Sequence, residues 1–182
     1  MTTSLVLTFI GHDKPGLVNT LSETIAAAGG SWLESRLAHL AGEFAGIILV
    51  SVPEPNAARL TTALRSLEEA GLRITVEPGI SVEPSSAAQP ATGYRTLELR
   101  LIGHDRPGIV RDVTQALSQL GANIEEFSSG IESAPFTGET MFRAEARLRV
   151  PEGVTTEEVQ KILEQLANEI MVDLTTSASE SI

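Results

Sequence analysis

Gly11-His12-Asp13-Lys14-Pro15-Gly16-Leu17-Val18 recurs 92 residues later as Gly103-His104-Asp105-Arg106-Pro107-Gly108-Ile109-Val110. Each copy follows a short apolar run that is typical of a strand. Each copy also precedes a segment whose apolar residues recur every three or four positions, as they do on one face of a helix. The repeat therefore predicts a strand-to-helix turn at both places, with the chain built twice around it.

Glycine and proline account for the shape of this turn. Gly11 and Gly103 are predicted to end a strand where the backbone bends, because glycine has no Cβ to clash. Pro15 and Pro107 have a fixed φ and lack an N–H, so they suit the first turn of the following helix.

The start of each following helix is a candidate binding place. Gly16 and Gly108 are expected to leave it uncovered, so that a small group can approach. A helix N-terminus offers unsatisfied N–H donors and a partial positive charge, which favour a carboxylate. Asp13 and Asp105 have two possible roles, as helix caps or as contacts for a ligand ammonium group, and the two roles are compatible.

Composition limits the classes of function. The 182 residues include no cysteine, which excludes a disulfide framework, a thiolate metal site and a cysteine nucleophile, and which is consistent with the cytoplasm. The net charge of −11 opposes direct binding to nucleic acid, because phosphate backbones require a basic surface. No apolar run approaches the length of a membrane span, and no signal peptide is predicted.

Both halves have the same predicted order of elements: strand, helix, strand, strand, helix and strand. Gly29 and Gly121 end the first helix of each half at the same offset of 92, whereas Phe44 and Phe142 are 98 apart, so the second half has six extra residues between its second and third strands. The order predicts an α+β fold of two ferredoxin-like βαββαβ units. Each unit is expected to be a four-stranded antiparallel sheet with two helices on one face.

Small residues and prolines between the halves predict a linker. We expect a first domain over 1–83, a linker over 84–93, a second domain over 94–176 and a disordered tail over 177–182. One unit is about the size at which a single core is marginal, so pairing of units and a homodimer are expected.

A βαββαβ unit with Gly-x-Asp-x-Pro-Gly and an aliphatic residue after its first strand resembles the ACT domain, and this resemblance covers nearly the whole chain twice. It implies a regulatory protein that senses an amino acid. The segment Glu34-Ser35-Arg36-Leu37-Ala38-His39-Leu40-Ala41-Gly42-Glu43-Phe44-Ala45-Gly46-Ile47-Ile48-Leu49-Val50 is similar to the family of the glycine cleavage system transcriptional repressor. That resemblance implies contact with a DNA-binding activator as the regulatory partner, with glycine as the signal.

Two other classes of function differ from a transcriptional regulator. The alternative to a transcriptional regulator is a stand-alone ACT regulatory subunit that binds and controls an enzyme of amino-acid or one-carbon metabolism. An enzyme in its own right is not expected, because the sequence has no Ser-His-Asp order, nucleophile elbow or phosphate-binding lysine loop. No cofactor or metal is expected, since His-Asp in one loop supplies at most two ligands.

The ligand is predicted to lie beside one or both turns, and the resemblance to ACT domains implies that it lies there at the interface between paired units. Its predicted contacts at the turns are Gly11, His12, Asp13, Pro15, Gly16, Leu17, Gly103, His104, Asp105, Pro107, Gly108 and Ile109. The start of the second strand is expected to form the other wall, at Ser31 and Trp32 or at Asn123 and Ile124. His12 and His104 are either ligand contacts or solvated loop residues, and His39 is interpreted as an ordinary strand residue. Trp32 matches Ile124 by offset, which favours packing over ligand stacking. Valine at Gly16 or Gly108 is expected to block the pocket and leave most of the fold.

Overall fold

A computed structural model of the chain describes residues 1–79, 93–133, 138–166 and 171–176. The chain divides into two compact units, and the division falls within 80–92. Most of the predicted linker and the whole predicted tail lie outside the described residues, so those two boundaries stay predictions. None of the helices in the described ranges is long and apolar enough to cross a membrane.

The first unit has the predicted order of elements. Its strands and helices are β1 (Thr2–His12), α1 (Leu17–Ala27), β2 (Ser31–Leu40), β3 (Glu43–Pro53), α2 (Ala57–Ser66) and β4 (Arg73–Pro78). Short 3₁₀ turns stand on either side of α2, at Glu54–Asn56 and Leu67–Ala70.

The second unit repeats this order. Its strands and helices are β5 (Tyr94–His104), α3 (Ile109–Gln119), β6 (Asn123–Ser133), β7 (Thr140–Pro151), α4 (Thr156–Glu164) and β8 (Met171–Thr176). The helix α4 begins with a capping box, in which Thr155 accepts a hydrogen bond from the Glu158 N–H and Glu158 accepts one from the Thr155 N–H.

Each unit contains one four-stranded antiparallel sheet, with strand order β2-β3-β1-β4 in the first and β6-β7-β5-β8 in the second. The edge strands β2 and β6 each carry a bulge at the same place. It lies between Trp32 and Glu34 in β2 and between Ile124 and Glu126 in β6. The predicted α+β fold of two ferredoxin-like units is confirmed.

The core of each unit lies between one face of the sheet and its two helices. In the first unit, Leu7 and Ile48 of the sheet pack with Leu21 of α1 and Leu60 of α2, and all four are at most 1% exposed. In the second unit, Leu101 and Leu148 pack in the same way with Leu117 and Leu163. Alternate residues of each strand therefore point into the core, and the remainder form an outward face of the sheet.

The predicted helix ends are confirmed in the first helix of both units. Gly29 and Gly121 follow α1 and α3 with φ of 72° and 70°, a left-handed conformation that glycine adopts without steric cost. Trp32 and Ile124 are partly buried against the two cores, which confirms that they serve in packing.

Candidate functional site

The first turn connects the end of β1 to the start of α1. After His12, the backbone N–H of Asp13 donates to the carbonyl of Gly42 at 2.9 Å. The chain then turns at Gly16, whose φ is 90°, and α1 begins at the buried Leu17. The carbonyl of Gly16 accepts the first helical hydrogen bond from the N–H of Thr20, at 2.9 Å. The turn is thus fixed by backbone bonds on both sides.

Side chains from the β2–β3 hairpin also reach the first turn. The imidazole Nδ1 of His12 lies 2.7 Å from Glu43 Oε1, and Nε2 of His39 lies 3.7 Å from Asp13 Oδ2. His12 is 92% exposed, so its pair with Glu43 contributes little stability. Two histidines and two carboxylates therefore lie around the turn at the protein surface.

The second turn has the same backbone and different side chains. Asp105 donates its N–H to the carbonyl of Thr140 at 3.0 Å, and Gly108 has a φ of 84°. In the first turn of α3, Asp112 accepts hydrogen bonds from Arg106 at 2.7 Å and from Arg111 at 2.8 Å. The bond from Arg106, with a second from Arg111, holds the pKa of Asp112 below its ordinary value. The two guanidinium groups of this turn are therefore already engaged by a carboxylate of the same chain.

The structure corrects two expectations, one about the aspartates and one about the prolines of the turns. Asp13 and Asp105 do not cap the helices, because Gly16 and Gly108 occupy the N-cap positions and, within the described residues, neither helix has a side-chain cap. For the same reason Pro15 and Pro107 lie before the helix and not in its first turn.

The role of Gly11 also differs from the prediction. Gly11 lies inside β1 and is not the bend, because β1 continues to His12. A Cβ at Gly11 would lie 2.7 Å from the carbonyl oxygen of Gly71, so this glycine permits close approach of two backbone segments.

Gly16 and Gly108 are needed for their backbone conformation. Both have a φ that residues with a side chain rarely adopt. Valine is therefore strained at both positions whatever space surrounds it, which costs stability. The expectation that such a variant keeps most of its fold stays a prediction. The space itself differs between the turns. No described atom lies within 4 Å of a Cβ built on Gly16, whereas the guanidinium of Arg111 lies 3.2 Å from one built on Gly108.

The structure does not bring Ser31 to the turn of its own unit. Ser31 pairs with Ser51, which pairs with Ser4 at the beginning of β1, whereas the turn follows the other end of β1. Within one unit, the predicted wall of Ser31 and Trp32 is thus at the opposite end of the sheet. In the second unit, Asn123 pairs with Arg149 in the same way, far from the pairing of His104 with Met141.

Sequence reasoning missed the residues that do lie beside the turns. In the first unit these are Gly42 and Glu43 of the hairpin, and in the second they are Arg111 and Asp112. The signal was available in part: an acidic residue in the first turn of α3 suits the helix dipole. The hairpin contacts depend on strand register, which the residue types do not reveal.

The surface clefts of the described chain include three that contain no turn residue. One of about 530 Å³ lies over β5, β7 and β8 of the second unit, and a neighbouring one of about 340 Å³ lies between β6 and β7. The third, about 440 Å³, lies between α1 and α2. Among the described residues, no group of three or more His, Cys, Asp or Glu side chains could hold a metal ion.

Comparison with protein families finds the ACT domain twice, over residues 3–77 and over residues 98–168. Among characterised proteins, the chain is similar to the glycine cleavage system transcriptional repressor of Escherichia coli (strain K12). The two are 24% identical over 166 residues, which cover 91% of this chain and 85% of the repressor.

Among solved structures, the fold matches an unknown protein from Galdieria sulphuraria with a TM-score of 0.81 and 30% identity, over 98% of this chain and 100% of that one. It also matches a structure assigned as a glycine cleavage system transcriptional repressor, with a TM-score of 0.66 and 21% identity, over 97% of this chain and 99% of that one.

Proposed function

We propose that this chain, which belongs to the ACT domain family in both of its halves, is a non-catalytic regulatory protein that responds to an amino acid in the cytoplasm. The family and the similarity to the Escherichia coli repressor support an amino-acid-sensing regulator. The observation that carries the proposal is the first turn, where no described side chain caps the start of α1 and Asp13 supplies a carboxylate three residues before Gly16.

An amino acid needs a partner for its carboxylate and another for its ammonium group. The start of α1 offers backbone N–H groups to the carboxylate, and within this described helix the first turn contains no acidic residue that would compete. Asp13 directly follows the end of β1 at His12, and it offers an oxygen to the ammonium group. The first turn is therefore proposed as the principal ligand site, with contacts from Gly11 to Leu17.

The second turn is proposed as the weaker site. Asp112 already occupies the positive end of α3 and engages both Arg106 and Arg111. A ligand carboxylate would have to displace Asp112 from these partners, which costs the charge-assisted hydrogen bonds that it makes.

The finer proposal is that glycine is the signal and that the protein controls transcription of glycine cleavage genes through a DNA-binding activator. Similarity to the repressor over 91% of the chain supports glycine cleavage genes as the genes under control. The net charge of −11 supports action through protein contact, since a tight DNA complex requires a basic surface.

Calorimetric titration of the full chain with glycine and with other single amino acids tests the ligand site. We expect Asp13→Ala to weaken affinity at least about tenfold, because a charge-assisted contact is worth roughly 1.5–3 kcal/mol. Asp105→Ala is the matched control and should change affinity less. Because neither aspartate caps a helix, a loss of affinity is not explained by a lost cap. Equal binding by both variants and the parent would place the site elsewhere.

Affinity purification from cells tests the partner. Recovery of a DNA-binding activator supports transcriptional control, whereas recovery of a metabolic enzyme supports the alternative of a regulatory subunit. We also expect the protein alone not to retard duplex DNA at physiological salt. Salt-sensitive retardation by the protein alone would contradict action through protein contact.

A further inference from the structure

The outward face of the second sheet carries charged side chains in rows that cross its strands. Arg147 of β7 lies opposite Glu126 on β6 and Glu98 on β5, and it contacts both carboxylates at 3.0 Å. In the next row, Glu145 lies opposite Arg100, with 3.6 Å between charged atoms. Acid and base thus alternate across these rows.

The following row is interrupted. Arg143 lies opposite Gly130 on one side and Ile102 on the other, so neither residue directly across from it is a carboxylate. Its guanidinium instead reaches along β7 to Glu145 at 2.7 Å and is 53% exposed. That hydrogen bond lowers the pKa of Glu145.

The missing side chain of Gly130 leaves a slot beside Arg143. The slot is the cleft of about 340 Å³, which is lined by Ser128, Ser129, Gly130, Ile131, Glu132, Arg143 and Glu145. Apart from Gly130 and its two chain neighbours, no described residue has an atom within 4 Å of a Cβ built on Gly130, so no other described residue fills the gap. The larger cleft shares Arg143 and Glu132 with the slot and adds Arg100 and Asp173.

The charges around the slot select a class of ligand. Arg143 has five N–H donors, more than its contact with Glu145 can use. Glu132 lies close enough to raise the pKa of Arg143, although a hydrogen bond to Glu145 is the larger cause. A simple anion would face Glu132 and Glu145, and a simple cation would face Arg143. A molecule that carries both charges can satisfy both partners.

We propose that this slot is a second small-molecule site, which binds a zwitterion of the α-amino-acid class. The carboxylate of the ligand contacts the guanidinium of Arg143, and its ammonium group contacts the carboxylate of Glu132. The site is distinct from the start of α3, which lies against the opposite face of the sheet. It does not depend on the function proposed above.

The first unit gives an internal control for this proposal. By the 98-residue offset, Arg143 corresponds to Ala45 and Glu145 corresponds to Ile47. The same place on the first sheet therefore lacks both charges. One slot is expected per chain, and it belongs to the second unit.

Nuclear magnetic resonance of the full chain tests the slot directly. Glycine and L-alanine serve as zwitterionic probes, and acetate and methylammonium serve as probes with one charge each. The zwitterions should shift the amide signals of Ser128 and Gly130 and should bind at least about tenfold more tightly than either single-charge probe. Equal responses to all four probes, or no response at these amides, would overturn the proposal.

Variants separate the slot from the turn. Arg143→Gln removes the cation, and Gly130→Val fills the gap with a residue that suits a strand. Both should abolish the shifts at Ser128 and leave any shifts at Gly16 unchanged, whereas Arg149→Gln, on the same face of β7, should bind as the parent does. Binding at Ser128 that survives Arg143→Gln and Gly130→Val would refute the slot. In the parent, shifts at Ser128 without shifts at Gly16 would count only against the ligand site proposed at the first turn.

Discussion

The two units place the same backbone turn in different polar surroundings. Gly16 and Gly108 have nearly the same φ, 90° and 84°, and each is followed by a buried aliphatic residue. Around Gly108, however, Arg106 and Arg111 converge on Asp112, whereas the positions that match Arg111 and Asp112 in the first unit are Asn19 and Thr20. Duplication has therefore kept the turn geometry and changed the charges that a ligand would meet.

The outward faces of the two sheets differ in the same manner. Four positions of the first face are aliphatic and their counterparts in the second are charged: Val6, Ala45, Ile47 and Leu49 correspond to Glu98, Arg143, Glu145 and Arg147. The inward positions stay apolar in both units because they form the cores. The comparison indicates that packing constrains one face of each sheet and leaves the other able to acquire separate contacts.

The largest expected effect tests whether both turns rely on glycine in the same way. Gly16→Val and Gly108→Val should each lower the free energy of unfolding by about 1–3 kcal/mol, because a β-branched residue is strained at positive φ. Urea unfolding measures both losses. Asparagine tolerates this conformation better, so Gly16→Asn and Gly108→Asn are the controls. A variant pair that unfolds like the parent would show that the turns do not need left-handed geometry.

A smaller effect tests the charged rows of the second sheet. Arg147→Leu copies Leu49 of the first unit and should lower the stability of the second unit by up to about 1 kcal/mol at low salt, since the pairs are partly exposed. Because salt screens such pairs, the loss should shrink at about 1 M salt. Urea unfolding at both salt concentrations measures it. A loss that is unaffected by salt would assign the effect to packing of the arginine stem.

The hairpin between β2 and β3 offers a stabilising change. Ala41 has a φ of 51°, which is unfavourable for a residue with a Cβ, and it precedes Gly42 in a two-residue turn. Such turns favour Asn-Gly, so Ala41→Asn should raise the stability by about 0.5 kcal/mol, read as a rise of a few degrees in Tm. The reverse change in the second unit, Gly138→Ala, introduces a Cβ at a φ of 71° and should lower the Tm. Opposite signs are expected, and equal signs would contradict the argument.

The smallest expected effect is on the stability of the fold at acidic pH. A hydrogen bond from Arg106 holds the pKa of Asp112 in the folded chain below its ordinary value of 3.8. The stabilisation is therefore fully present above that value, and it is lost as the pH falls through the lower folded pKa. Asp112→Thr, which copies Thr20 of the first unit, should flatten the acid limb of the stability curve. Thermal unfolding between about pH 5 and about pH 2 measures the slope. A parent and a variant with the same slope would show that the contact does not stabilise the fold.

The fold could be predicted from the sequence because its signals are local. Glycines such as Gly29 and Gly121 end helices through their own backbone conformation. In β7, apolar and charged residues alternate, which indicates one buried and one solvent-exposed face. The repeat doubled the strength of each signal, since a pattern seen at one offset could be checked at the other.

The site could be predicted only in part, because its details depend on register. Aspartate is a common helix cap, so Asp13 was a reasonable candidate, yet the positive φ of Gly16 places the helix start three residues later. The position of Ser31 at the far end of the sheet follows from antiparallel pairing across two strands. The slot at Gly130 depends on which residue of β7 lies opposite it, and composition does not determine that pairing.

The hairpins between the second and third strands have a consequence for the order in which the units fold. Two residues separate β2 from β3, whereas six separate β6 from β7. The entropy of closing the longer loop costs about 1 kcal/mol more, which corresponds to roughly a fivefold slower closure if the flanking strands are otherwise alike. The first unit also leaves the ribosome first. Its hairpin is therefore expected to form while the second unit is still being synthesised.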